Sequence, residues 1–193
     1  MNGGQRSRGT SIVELLVGTL LGLLVLATLT AAVAVGARLV AAAGARGEAE
    51  DTAQLAVEAF TFDARRAGYD PSGAGIERVV QARPDTVTFG TDLDGDGVVD
   101  GTSEEQTAYA CSASNQRLSR IVGRQSMPMA DGVSACGLRF LDAGGAAMAV
   151  PAAGLGAGDR ARIRALALDL ALVPTALHGP TARTVLVALR SGG

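Results

Sequence analysis

From Leu15 to Ala37 the chain has no charged residue, and Leu, Val and Ala dominate these 23 positions. A helix of about 20 such residues spans the hydrocarbon core of a bilayer. Beyond this run the helical pattern continues more weakly. Leu55, Ala59, Phe62 and Arg66 recur at helical spacing and predict a narrow apolar stripe that ends in charge. Gly68 followed by Pro71 supplies the stop. Gly44 and Gly47 are positions where the helix can loosen or bend.

After Gly68 the hydrophobic period changes to two. Strands are predicted over 76–81, 85–90, 107–111, 116–122, 134–142, 162–173 and 182–190. In 162–173, Leu166, Leu168, Leu170 and Leu172 alternate with Ala and Asp, the pattern of a half-buried antiparallel strand. Residues 143–158, rich in Ala and Gly, read as a long loop. The pattern predicts an α+β fold shaped like a lollipop, a long N-terminal helix whose second half packs on an antiparallel β-sheet.

Composition narrows the function classes. The 193 residues are 48% hydrophobic, which excludes a disordered chain, and the 26 glycines follow no triplet period, which excludes a collagen-like one. All 17 basic residues are Arg, against 19 acids, for a net charge of -2, so no overall positive charge recruits nucleic acid. Arg160, Arg162 and Arg164 would alternate on one strand face and meet phosphates. Without aromatic partners they read instead as a solvated face.

The N-terminal run is longer than the roughly 7–15 apolar residues of a secretory signal. Arg6 and Arg8 before it favour a cytoplasmic N-terminus and an exported remainder. Glu14 is anomalous in a plain anchor. An ionisable group at the edge of such a run costs of order 2–3 kcal/mol and usually has a functional partner. Gly18 and Gly22 form a G-x-x-x-G step that allows close helix approach.

The stretch Arg8-Gly9-Thr10-Ser11-Ile12-Val13-Glu14-Leu15-Leu16 resembles the class III signal of type IV prepilins and pseudopilins, a basic leader ending in Gly with Glu fifth in the mature chain. The resemblance implies cleavage between Gly9 and Thr10 by a membrane-embedded prepilin peptidase. The cut would leave an ammonium on Thr10, four residues before Glu14 and on nearly the same helix face. Carboxylate and ammonium could then pair between staggered neighbouring helices, offsetting the desolvation of both. Thr10 stands where the family has a bulky apolar residue that is N-methylated, and Ala31 stands near the mid-helix proline of major pilins.

Two further segments, Phe62-Asp63-Ala64-Arg65-Arg66-Ala67-Gly68-Tyr69 and Thr184-Val185-Leu186-Val187-Ala188-Leu189-Arg190, resemble PilW-type minor pilins. The implied organisation is a leader at 1–9, a transmembrane and assembly helix at 10–37, its soluble half at 38–68, and a pilin-like β-sheet head at 69–193. The implied partners are the peptidase, other minor and major pilins, and the inner-membrane pilus assembly platform. The implied location is the inner membrane, with the head periplasmic, and then the pilus at the cell surface. Two alternatives share these features. One is a type II secretion pseudopilin, and the other is a calcium-dependent adhesin or DNA-uptake module anchored by the helix.

The sharpest local motif is Asp92-Leu93-Asp94-Gly95-Asp96-Gly97-Val98-Val99-Asp100. Acids at positions 1, 3, 5 and 9, with Gly at 6, match the start of a calcium loop. Asp92, Asp94, Asp96 and Asp100 are candidate side-chain ligands and Val98 a backbone ligand. Ser103 holds position 12, so Glu104 or Glu105 would have to close the site. No basic residue occurs between Arg83 and Arg117 to neutralise these acids. The competing reading is an Asp/Gly-rich hairpin turn that needs no metal. Magnesium and zinc fit less well, for lack of phosphate partners or soft ligands.

Cys111 and Cys136, the only cysteines, both fall in predicted strands on the exported side, where a disulfide is expected over two buried thiols. For catalysis the inventory is thin. His178 is the only histidine, no nucleophile elbow, P-loop or metal-hydrolase motif occurs, and no enzyme is expected.

Overall fold

The structure, a computed structural model, describes residues 11–173 and 181–190. Gly9, Thr10 and His178 lie outside them. The chain divides into two compact units, Met1–Gly44 and Ala45–Gly193. Helix α1 (Ile12–Arg66) is continuous through Gly44 and Gly47.

In the first unit the stretch Ile12–Gly44 contains an 18-residue segment of mean hydropathy 2.4 with none of it buried, so it is long and apolar enough to serve as a membrane anchor or signal. Its threonines do not spoil that character. Thr19, Thr28 and Thr30 donate their hydroxyls to the carbonyls of Leu16, Val25 and Ala27 at 2.9, 2.8 and 2.9 Å. Each polar group is thereby satisfied within the helix.

The second unit combines the last part of α1 with two antiparallel sheets. The first sheet runs in chain order through β1 (Val79–Ala82), β2 (Thr86–Gly90), β3 (Gln106–Ser112), β4 (Arg117–Val122) and β5 (Gln125–Asp131). The second is β6 (Val133–Leu141), β7 (Ala165–Leu172) and β8 (Thr181–Ala188), with β7 central. A short helix α2 (Ala157–Arg160) precedes β7. As the alternation predicts, Leu166, Leu168, Leu170 and Leu172 of β7 are all buried. The α+β class stands, and most predicted strands lie within three residues of their observed ends.

Strand β5 was not foreseen, because Met127-Pro128-Met129 shows no period-two pattern. It survives at the sheet edge, where a proline is tolerated. The β4–β5 register shifts between Leu118 and Ser119, which face Ala130 and Pro128, so the strand accommodates Met129 as a bulge.

The helix presents a different face from the predicted one. Leu55 and Phe62 are 61% and 59% exposed, whereas Ala53, Ala56, Phe60, Ala64 and Ala67 are buried in a core shared with both sheets. Alanines let the helix backbone approach closely, and Phe60 supplies the bulk. Its ring packs edge-on against Phe89 at 5.8 Å and Tyr109 at 5.1 Å. Gly68, at φ +77°, ends the helix in the left-handed region, and its N–H donates to the Gly90 carbonyl at 2.8 Å. A Cβ there would collide with the Arg78 side chain.

Asp63 ties the helix to the first sheet. Buried at 5% exposure, its carboxylate accepts from Tyr109 Oη at 2.7 Å and from Arg120 Nε and Nη2 at 2.7 and 3.1 Å. Burial, and the Asp63 carboxylate beside it, push the Tyr109 hydroxyl far above the ordinary phenol range, so it stays a donor. Cys111 and Cys136 are disulfide-bonded with Cα atoms 5.7 Å apart, joining β3 of one sheet to β6 of the other.

Candidate functional site

The acidic motif fills the connection between β2 and β3, and the loop is fastened by its own carboxylates. Asp92 is fully buried. Its Oδ1 accepts from Gly95 N at 2.7 Å and its Oδ2 from Gly97 N at 3.0 Å, while its own N–H donates to the Tyr69 carbonyl at 2.8 Å. Asp94 Oδ1 accepts from Asp96 N at 3.1 Å, and Asp96 Oδ1 from Val98 N at 2.8 Å. These are successive Asx turns, which is why Asp and Gly alternate here. Gly97, at φ +80°, also leaves room for Ala74, whose Cβ an added Cβ would approach to 2.8 Å.

Glu105 closes the loop from the β3 side. Its Oε1 accepts from Leu93 N at 2.8 Å and Asp94 N at 3.4 Å, and its Oε2 from Asp100 N at 2.9 Å. These amides, Asp100 first, hold its carboxyl below the ordinary range against burial and the Asp92 charge. Asp100 is also lowered, chiefly by the N–H and hydroxyl of Thr102. A second turn buttresses the loop. Asp70 is lowered to about 2 by the Ser72 hydroxyl and the amides of Gly75, Ala74 and Ile76. Ser72 Oγ lies 2.7 Å from Asp70 Oδ1 and 2.9 Å from Asp92 Oδ2, bridging the two segments.

Of the predicted ligands, Asp92, Asp94 and Asp96 come together, each placing one carboxylate oxygen within 4.8 Å of the other two. Oxygens sharing a calcium at about 2.4 Å are at most about 4.8 Å apart, so this group can hold a metal ion. Asp100 and Glu104 are not in the group, and Val98 stands 61% exposed. Glu104 is exposed, whereas Glu105 is the acid that reaches into the loop. No periodicity marks the buttress formed by Asp70 and Ser72, although Asp70-Pro71-Ser72-Gly73 is a turn signature.

The arginine triplet does not form the predicted strand face. Arg160 ends α2, and Arg162 and Arg164 lie in the turn before β7. The polypeptide turns there because Ile163 is drawn into the core. Arg160 reaches inward, donating to the carbonyls of Val79 and Leu155 at 3.0 and 3.1 Å and pairing with Glu77 at 2.8 Å. At the other end of the chain, Glu14 sits exposed in the first turn of α1. No family model and no curated protein matches the chain.

Proposed function

We propose that the chain is a type IV prepilin-like subunit of the minor-pilin kind, cleaved by a prepilin peptidase, held in the inner membrane by its N-terminal helix and assembled with other pilins through the membrane platform into a surface filament. The observation that carries this reading is the placement of Glu14 in the first turn of a helix whose next 23 residues, Leu15 to Ala37, are uncharged and unburied. A charge there is costly for an anchor alone and useful where a neighbouring subunit supplies an ammonium. The α+β head with its disulfide suits an exported domain.

Processing tests the proposal. Co-expressed with a prepilin peptidase, the protein should lose the nine residues through Gly9, leaving 184 of its 193 and beginning at Thr10 by intact-mass and N-terminal analysis. An uncut leader, or a cut near Ala34, would return the helix to a plain anchor or a secretory signal.

The three-aspartate group favours a calcium-dependent module as the second reading, whether in a type II secretion pseudopilin or an anchored adhesin. All-oxygen carboxylate donors suit calcium. Extracellular modules bind it at about 0.1–1 mM, so one millimolar calcium should raise the melting temperature by about 1–5 °C over excess chelator. Asp94→Ala/Asp96→Ala should abolish the rise. Equal melting of the unaltered protein in both conditions would make the loop a hydrogen-bonded turn and nothing more.

A further inference from the structure

Where the end of β8 meets the turn before β7, two guanidinium groups converge with no counter-ion among the described residues. Arg78 Nη2 and Arg164 Nη1 both donate to the Ala161 carbonyl, at 3.4 and 2.7 Å. Arg78 Nη1 also donates to the Arg190 carbonyl at 2.5 Å, and Arg164 Nη1 to the Ile163 carbonyl at 3.1 Å. The acids of the same segments are already engaged, Glu77 with Arg160 and Asp159 with Arg162. Among the described residues no carboxylate lies within salt-bridge distance of Arg78 or Arg164. Partial burial of Arg78 and the nearby Arg164 charge both disfavour its protonated form.

We propose that Arg78 and Arg164 form a receptor for a phosphate group. Each keeps N–H donors beyond those spent on carbonyls, since a guanidinium carries five. One carboxylate presents two oxygens and fills one arginine fork, whereas a tetrahedral oxyanion presents oxygens to two forks at once and carries the charge to offset both. The backbone carbonyls of Ala161 and Arg190 hold the pair in place before any ligand arrives, so little side-chain ordering is left for binding to impose.

The test is calorimetric titration of the full chain in a neutral detergent at constant ionic strength. One arm uses inorganic phosphate and the other glycerol 3-phosphate, a water-soluble phosphomonoester headgroup. Saturable binding in either arm supports the site, and the tighter arm tells whether free phosphate or a lipid headgroup is its source. Arg164→Gln, exposed and bonded only to neighbouring carbonyls, should weaken binding about tenfold. Arg164→Lys should restore it only in part, because a point charge replaces a fork. Arg162→Gln should leave the affinity within about twofold, its guanidinium being outside the pair. Absence of saturation in both arms would overturn the proposal. So would equal weakening by Arg162→Gln and Arg164→Gln, which would reduce the effect to diffuse surface charge.

Discussion

Arg120→Ala is expected to cost the second unit about 3–5 kcal/mol, because it leaves the Asp63 carboxylate buried beside a single remaining donor. Asp63 is 5% exposed, while the Arg120 side chain keeps 23% of its surface in water. The two truncations should therefore be unequal. Asp63→Ala leaves a guanidinium that can turn outward and should cost less. The double variant should cost less than the sum of the singles, since neither orphaned charge then exists. Tyr109→Phe should cost only about 0.5–1.5 kcal/mol, the ordinary value of one hydrogen bond, because Arg120 still pairs the carboxylate. Urea unfolding followed by circular dichroism measures all four. Equal single losses that add in the double variant would show that the ion pair is solvated.

Cys111→Ser/Cys136→Ser should lower stability by roughly 3–4 kcal/mol, the chain-entropy value for a closed loop of about 26 residues. The loss should be felt in both sheets, because the bond joins β3 to β6. Reducing agent on the unaltered protein should reproduce the shift in denaturation midpoint, and adding it to the double variant should change nothing. An unshifted midpoint in the oxidised and reduced protein would mean that packing alone fixes the two sheets. Either loss is large against the 5–15 kcal/mol that holds a typical domain together.

How much of this was legible in the sequence depends on how local each signal is. The apolar run of α1 and the leucine alternation of β7 are periodic over many residues, and both appear where the pattern places them. The buried helix face differs from the predicted one because alanine carries little hydrophobic signal. Leu55 and Phe62 outweigh Ala53, Ala56 and Ala64 by hydrophobicity, but the sheets need close approach more than bulk. The Asp63–Tyr109–Arg120 lock spans 46 and 57 residues, and nothing in the local sequence pairs such distant positions. In the acidic loop the alternate spacing of Asp92, Asp94 and Asp96 brings three carboxylates together. Whether Glu104 or Glu105 turns inward depends on where β3 begins its pairing. Thr91 N donates to the Glu105 carbonyl at 2.9 Å, and that junction aims the Glu105 side chain back at the loop.

Pro128 has a consequence beyond the local bulge. A strand flanked on both sides needs its backbone donors in ladders, and a proline leaves any such ladder one bond short. The first sheet therefore ends at β5 by chemistry as well as by chain order. A strand from another copy would find a poor template there, and runaway sheet growth is the usual hazard of an open edge. Strand addition is discouraged at this edge, whereas β1, the opposite edge of the same sheet, carries no proline.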